Sequence, residues 1–597
     1  MSKEKQQTKL RQLRNKVKRL KDQNSKLRNK LYEKICSDGQ ALNEKCSKDI
    51  AKLIEETTPE INEQTKPGSF KRLFWEEQLK YNSCKSPHAM RWHPMIIRWA
   101  LSLKQKSTTA YRTLRESKVI ALPSETTLYD YSHFIPAESG FQNDVIEMLT
   151  SEAEKAGLYE EEHKQYVGLL ADEIKIKEDL VYDASTGELI GFINLDEVGN
   201  ALDRLENLLS EDKVDKKPDR ATHMLVVMLR GATTNFKFPL VCYPTKTATS
   251  PVLFSILWKA IEYVELHAGL HVLFVTCDGA SPNRRFFKLH KEGNEDIVYS
   301  AQNPYPGGAE RIMFVSDVPH LIKTARNCFA NSFSHKRTRQ LWKDGKTISW
   351  IHIVELYETY IESTTYSEAP KLTRAHIDLT AFSRMKVNLA AQVLSNTVAN
   401  ALERNFGDHM SETVKFLRLM DRFFDCCNTR SLYEAKQTLK GDLSAYTEAD
   451  DARLTFLMTE FIQYIDDWET SVENRPGNFT QTEKNGMQLS YQTKQGLKIS
   501  VQSIVHYVKF FLNKGAKFVL TENFNQDPLE QMFGHCRRRL GCNSDPTAYE
   551  MQHNVNQLRV TGSASLAGVN GNCKRFQKDR EITVDDSPIP RKKPRKQ

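Results

Sequence analysis

No stretch of this 597-residue chain reaches the roughly 18 consecutive apolar residues of a membrane-spanning helix, and the opening Met1-Ser-Lys-Glu-Lys-Gln-Gln7 lacks a secretory hydrophobic core. Cysteine is sparse and unpatterned, with eleven residues, an odd number, and no Cys-x-x-Cys pair. That usage excludes a disulfide framework and fits reduced thiols in an intracellular protein. A phosphate-binding P-loop is missing too: Gly345-Lys346-Thr347 has the ending of that motif, but Gln340 stands where its first glycine belongs. What is present is 39% hydrophobic residues over a length that implies three or four domains, each able to bury a core.

The net charge of +9 is unevenly spread. Residues 1 to 35 hold 13 Lys or Arg against three acids, and Arg591-Lys-Lys-Pro-Arg-Lys596 adds five more cations. Taking both ends from the total leaves −6 for the body between them. The tail reads as a nuclear localisation signal or as a solvated charged end. In the basic N-terminus, Leu10, Leu13, Val17, Leu20, Asn24, Leu27 and Leu31 alternate at spacings of three and four. This is a heptad seam in which Asn24 at an a position favours a parallel, in-register dimer, giving a homo-oligomer through residues 10–31. A single amphipathic helix packed on the body fits the same pattern, and its many cations suit phosphate backbones.

Three acidic residues carry the chemistry. Tyr166-Val-Gly-Leu-Leu-Ala-Asp172-Glu-Ile-Lys-Ile-Lys177 reads as a buried central strand with Asp172 inside it. Glu188–Asn194 reads as a second strand and His223–Arg230 as a third. A helix follows from Ser250 and Pro251, and His271-Val-Leu-Phe-Val-Thr-Cys-Asp278-Gly279 is another buried strand ending on an acid. A carboxylate in an apolar strand is costly unless paired or bound to a cation, and two such acids on neighbouring strands would repel without one. Asp278 before Gly279 also fits an ordinary turn. The third acid, Glu530, lies one turn into a helix expected to begin at Asp527 with Pro528 in its first position. Glu530 is either an oxygen ligand for Mg²⁺ or Mn²⁺, or a capping-box partner of the Asp527 backbone N–H. Such a set of acids suits two-metal phosphoryl transfer on DNA.

Several blocks in order make the chain resemble the P-element-type transposases, the group with the THAP-domain-containing transposase relatives of animals. They are Leu169-Leu-Ala-Asp172-Glu-Ile-Lys-Ile-Lys177, Thr276-Cys-Asp278-Gly-Ala280, Phe314-Val-Ser-Asp-Val-Pro-His-Leu-Ile-Lys-Thr-Ala-Arg-Asn327, Phe382–Ser395 and Asn525-Gln-Asp-Pro-Leu-Glu530. The resemblance implies an α/β, ribonuclease-H-like catalytic core interrupted by a large, mostly α-helical insertion that binds GTP, with Asp172, Asp278 and Glu530 as the catalytic and metal-binding residues. It also accounts for the separation of 252 positions from Asp278 to Glu530. Within them, Ile351–Ser363, Phe382–Arg404, Glu412–Cys426 and Leu454–Glu473 show helical periodicity. Asp378, Lys386 and Asp527 are taken as the GTP contacts, although solvated or capping roles fit each of them equally.

The expected organisation is therefore a basic coiled coil at 1–36, a linker at 37–68, a helix-turn-helix-like DNA-binding module at 69–135, the first part of the core at 140–333, the GTP-binding insertion at 334–523, the last part of the core at 524–562, and a basic tail at 563–597. In the DNA-binding module, Pro94–Lys104, a helix capped by Ser107 and Thr126–Phe134 form three short helices, with Ser124, Thr126, Thr127 and Tyr129 on the candidate recognition helix. Cys36, Cys46, Cys84 and His88 miss the spacing of the zinc-binding THAP module, so that module is not expected. The implied function is a nuclear DNA transposase, acting with Mg²⁺ or Mn²⁺ and GTP on double-stranded element ends and target DNA. The alternatives are a domesticated DNA-binding or regulatory protein without transposition, and a GTP-regulated assembly protein with a dormant nuclease site.

Overall fold

The computed structural model describes residues 65–562, except 85, 135–137, 184–185, 210–218, 294–295, 335–337, 363–366 and 539–544, together with the single residues 19, 26 and 589. Apart from those single positions, the expected coiled coil, nearly all of the linker and the basic tail lie outside the described residues. The chain divides into two compact units, with the boundary between Tyr129 and Asp130.

The first unit is helical. Pro94–Lys106, Thr108–Glu116 and Glu125–Ser132 appear where the caps place them, preceded by a helix, Phe70–Ser83, that the sequence reading missed. Ser107 Oγ accepts from Ala110 N at 3.1 Å and Ser124 Oγ from Thr127 N at 3.0 Å, satisfying helix-start donors. Of the four positions expected on the recognition helix, Ser124 is thus occupied as a cap, whereas Thr126 and Tyr129 are exposed. Buried Tyr111 donates its hydroxyl to Pro123 O at 2.6 Å. Gln78 clamps the same loop by donating to Ala121 O at 3.1 Å and accepting from Ala121 N at 2.7 Å.

The second unit is built on a six-stranded sheet. Its strands are β1 (Tyr166–Lys175), β4 (His223–Gly231), β5 (Lys237–Thr245), β6 (His271–Cys277), β7 (Ser300–Gln302) and β8 (Arg311–Ser316), in the order β5-β4-β1-β6-β8-β7. β1 pairs antiparallel with β4 and parallel with β6, and β6 pairs parallel with β8. Two expectations change. The second strand expected at Glu188–Asn194 is instead a short β3 (Glu188–Ile190), paired with β2 (Val181–Asp183) in a separate hairpin. The missing place is taken by β5, whose Pro239 and Pro244 are tolerated because it is the edge strand.

The two faces of the sheet bury different partners. On one, Leu169, Val275 and Phe314 pack with Val145, Leu149, Val252 and Ile256 of the helices Asn143–Lys155 and Ser250–Glu262. On the other, Leu170, Ile174, Phe274 and Val315 join one continuous core that runs through the helix Val318–Ala330 into the helices that follow. Those helices include Ile351–Glu362 and Ser411–Cys426, close to the bounds the periodicity predicts, while the span expected as one helix Leu454–Glu473 runs as Ala452–Phe456, a π turn Leu457–Phe461 and Ile462–Glu473. The expected single helix Phe382–Arg404 is three, Ala381–Arg384, Val387–Val393 and Asn396–Phe406, with Ser395 Oγ capping the third at Val398 N, 3.3 Å. Lys346–Thr347 forms a small hairpin with Trp342–Lys343 through Asp344 and Gly345, both at positive φ, so the motif-like Gly-Lys-Thr is a tight turn.

The longest helix among the described residues, Tyr491–Asn513, returns the chain to the sheet. Ser500 Oγ accepts from Ser316 N at 3.1 Å and donates to Ser316 O at 2.7 Å, while Ser503 Oγ donates to Phe314 O at 2.5 Å. The insertion therefore shares a core with the sheet face that it covers.

Candidate functional site

Strand register brings the acids together. Leu170 pairs with Thr276, and Cys277 with Ser316, so two steps along β1 and one step beyond β6 and β8 set Asp172, Asp278 and Asp317 at one height on three neighbouring parallel strands. Adjacent strands lie about 4.8 Å apart. By the alternation of a strand, Asp172 shares the face of Leu170 and Ile174, the face covered by the insertion. The open ends of parallel strands are where α/β sheets place their sites.

The third acid arrives on the helix Asp527–Arg538, whose Leu529, Met532, Phe533 and Cys536 bury into the same core. Leu529 N and Glu530 N donate to Gln526 O at 2.9 and 3.1 Å, so Gln526 is the N-cap and Asp527 and Pro528 are the first two helical residues. This shifts the expected start by one residue. The capping-box position then falls on Leu529, and Glu530 lies one residue beyond it.

The segment entering that helix is stitched to the sheet. Asn523 Nδ2 donates to Ala232 O at 2.9 Å, and its Oδ1 accepts from the buried Arg230. Thr276 Oγ1 donates to Phe524 O at 2.8 Å, and Asn525 Nδ2 to Asn428 Oδ1 at 2.9 Å, a contact with the insertion. Gln526 N donates to Asp317 Oδ1 at 2.9 Å.

The acids act on one another electrostatically. Burial first, then the charge of Asp278, with further contributions from Glu530 and Asp317, push the Asp172 carboxyl up to about 8 despite the bond from Glu173 N. Asp317 is pushed up to about 7 by burial and by Glu530, with Asp527 adding to it. Asp278 Oδ1 accepts from Ala280 N at 2.8 Å and Asn283 Nδ2 at 2.6 Å, so the turn reading holds for it. Burial lowers the His320 imidazole, as does nearby Lys323, while Asp278 opposes them. Asp317 was missed in the sequence, although it follows the apolar run Ile312-Met-Phe-Val-Ser316 as Asp278 follows β6.

These acids fit a divalent cation by their chemistry, since all the donors are oxygens and they disfavour one another's ionisation. Among the described residues, no three or more His, Cys, Asp or Glu side chains are grouped closely enough to hold a metal ion as they stand. The three residues taken as GTP contacts are placed differently. Asp378 pairs with Arg374 at 2.8 Å on the surface, and Lys386 Nζ lies 4.4 Å above the Phe382 ring. Buried Asp527 belongs electrostatically to the core, where its charge acts on Asp317 and Arg230.

Comparisons with known proteins agree with this architecture. Residues 137–291 match the TNP-like RNase H N-terminal domain, residues 319–441 the TNP-like GTP-binding insertion domain and residues 523–553 the TNP-like RNase H C-terminal domain, together more than half of the chain. The DNA transposase THAP9 of Homo sapiens is 24% identical over 515 residues, 84% of this chain and 50% of that protein. The Transposable element P transposase of Drosophila melanogaster is 24% identical over 512 residues, 83% of this chain and 58% of that protein. The chain thus spans about half the length of these curated relatives. A chain of the Drosophila P element transposase strand transfer complex has the same fold, with a TM-score of 0.62 at 20% identity, covering 86% of this chain and 98% of that one.

Proposed function

Because this chain belongs to the P-element-type family of TNP-like transposases, we propose that it is a DNA transposase that cuts element ends and joins them to target DNA. The reading rests above all on the register that sets Asp278, just past β6, beside Asp172 of β1, with Glu530 on a helix whose Leu529 and Met532 pack into the core of that sheet face. Asp172, Asp278 and Glu530 are the residues that would hold two Mg²⁺ or Mn²⁺ ions. Such ions activate a hydroxyl nucleophile and stabilise the leaving oxygen of an in-line displacement. The chain's own part is to fix three carboxylates on two strands and one helix, so that water first cuts at the element end and the freed 3′-hydroxyl then attacks target DNA. Glu530, in the first turn of its helix, would supply the third carboxylate.

The match of residues 319–441 to a GTP-binding insertion supports GTP as an assembly cofactor. Asp378, Lys386 and Asp527 are its proposed contacts. Double-stranded DNA as partner, a dimer through residues 10–31 and a nuclear location complete the proposal. The test is excision of a reporter flanked by the gene's own genomic borders, with Mg²⁺ and with or without GTP, comparing wild type and Asp278→Asn. Excision by wild type alone supports the transposase. Excision surviving in Asp278→Asn refutes the assignment of the acids. Excision by neither protein, with DNA binding retained, would replace the enzyme with a domesticated DNA-binding protein.

A further inference from the structure

Asp317 and Gln526 meet between the three candidate metal-binding acids. Both are nearly inaccessible to solvent, at 2% and 3% exposure. Asp317 Oδ2 accepts from His320 N at 2.8 Å, capping the helix Val318–Ala330, and Oδ1 accepts from Gln526 N at 2.9 Å. The Asp317 backbone N–H donates to Cys277 O at 3.0 Å, one residue before Asp278. Gln526 Nε2 donates to Ala171 O at 2.7 Å, one residue before Asp172, and lies 3.4 Å from Thr276 O. Gln526 O accepts from Glu530 N at 3.1 Å. Each of the three acids is therefore one peptide unit or one hydrogen bond away from this pair.

Both oxygens of Asp317 are committed to backbone N–H groups, which suits holding geometry. An amide is the side chain that suits position 526, because the two acceptors that face its Nε2 are strand carbonyls and a carboxylate there would offer them no donor.

We infer that Asp317 and Gln526 form a positioning latch that sets Glu530 against Asp172 and Asp278. The latch also couples the helix Val318–Ala330, where the match to the insertion domain begins, to the helix bearing Glu530. The inference rests on the proposed role of the three acids and goes beyond it by naming two residues that act through them.

The test uses the full-length chain and two readouts: amide hydrogen exchange without metal, and Mn²⁺ affinity from water-proton relaxation. Gln526→Met keeps the length of the side chain and removes its donor. It should speed exchange across residues 526–532 about tenfold and weaken Mn²⁺ binding by a similar factor, with exchange in the helix Ser250–Glu262 unchanged. A purely structural role would not shift the affinity of the folded fraction. Asp317→Asn, which retains one acceptor, should give the same pattern and decides the matter if Gln526→Met loses protection throughout. Unaltered exchange at 526–532 together with unaltered Mn²⁺ affinity in both variants overturns the latch. If Asp278→Asn binds Mn²⁺ as tightly as wild type, or wild type binds none, the assignment of the metal site falls, and the exchange data alone decide whether the latch exists.

Discussion

Replacing Asp172 by Asn should make the metal-free protein more stable while removing its capacity to be stabilised by a divalent cation. Burial and the neighbouring charges move the Asp172 carboxyl from 3.8 up to about 8. The native value lies above the unfolded one, so the associated stability is complete below the unfolded value and is lost as pH rises through the native value. At about 1.4 kcal/mol per pH unit, this shift sets an upper limit of roughly 5–6 kcal/mol. Local relaxation and water at this half-buried position reduce the figure to about 2–3 kcal/mol at pH 8. Asparagine retains an oxygen to accept from Glu173 N, a bond of 2.8 Å, and removes only the charge. For a unit of about 450 residues, 1 kcal/mol corresponds to about 1 °C in Tm. In EDTA at about pH 8, Asp172→Asn should therefore melt about 2–3 °C above wild type, and the gap should narrow towards about pH 5. Added Mn²⁺ should raise the Tm of wild type and leave that of the variant unmoved. Equal melting of the two proteins at every pH, or equal responses to Mn²⁺, would refute the electrostatic argument.

Three further substitutions probe the supporting frame. At Gly168, a Cβ would lie 2.0 Å from the Phe274 ring, so Gly168→Ala should cost about 1–3 kcal/mol in the denaturant midpoint through overpacking of β1 on β6. Ser500→Ala strips both backbone groups of Ser316 of their partner and should cost about 2–3 kcal/mol, read by the same titration. Tyr111→Phe removes the bond to Pro123 O, and hydrogen exchange should quicken in residues 108–125 by the equivalent of about 1–2 kcal/mol.

The central strands were legible because parallel strands buried on both faces read as continuous apolar runs, and β1 and β6 do so up to their acids. β5 was not, because Pro239 and Pro244 argue against a strand until it is known to lie at the edge. The helix Tyr491–Asn513 escaped for a different reason. Thr493, Lys494, Gln495, Gly496, Ser500 and Ser503 are all buried in it, so its packed surface is made partly of small and polar residues and the apolar period is blurred. Its serines are there to bond the carbonyls of β8, a demand that only the neighbouring strand reveals.

Asp317 shows how a site residue hides within a local signal. Asp-Val-Pro after an apolar run reads as the start of a helix, and Asp317 does cap one, so the sequence offers nothing left to explain. The same carboxylate uses its second oxygen 209 positions away, on Gln526 N, and that contact fixes where the helix of Glu530 begins. With Gln526 as the N-cap, the capping-box place belongs to Leu529, and the charge of Glu530, one residue further on, opposes the ionisation of Asp172 and Asp317. Local capping and the distant site are thus one constraint, and it becomes visible only when the register of β1, β6 and β8 sets Asp172, Asp278 and Asp317 in a row.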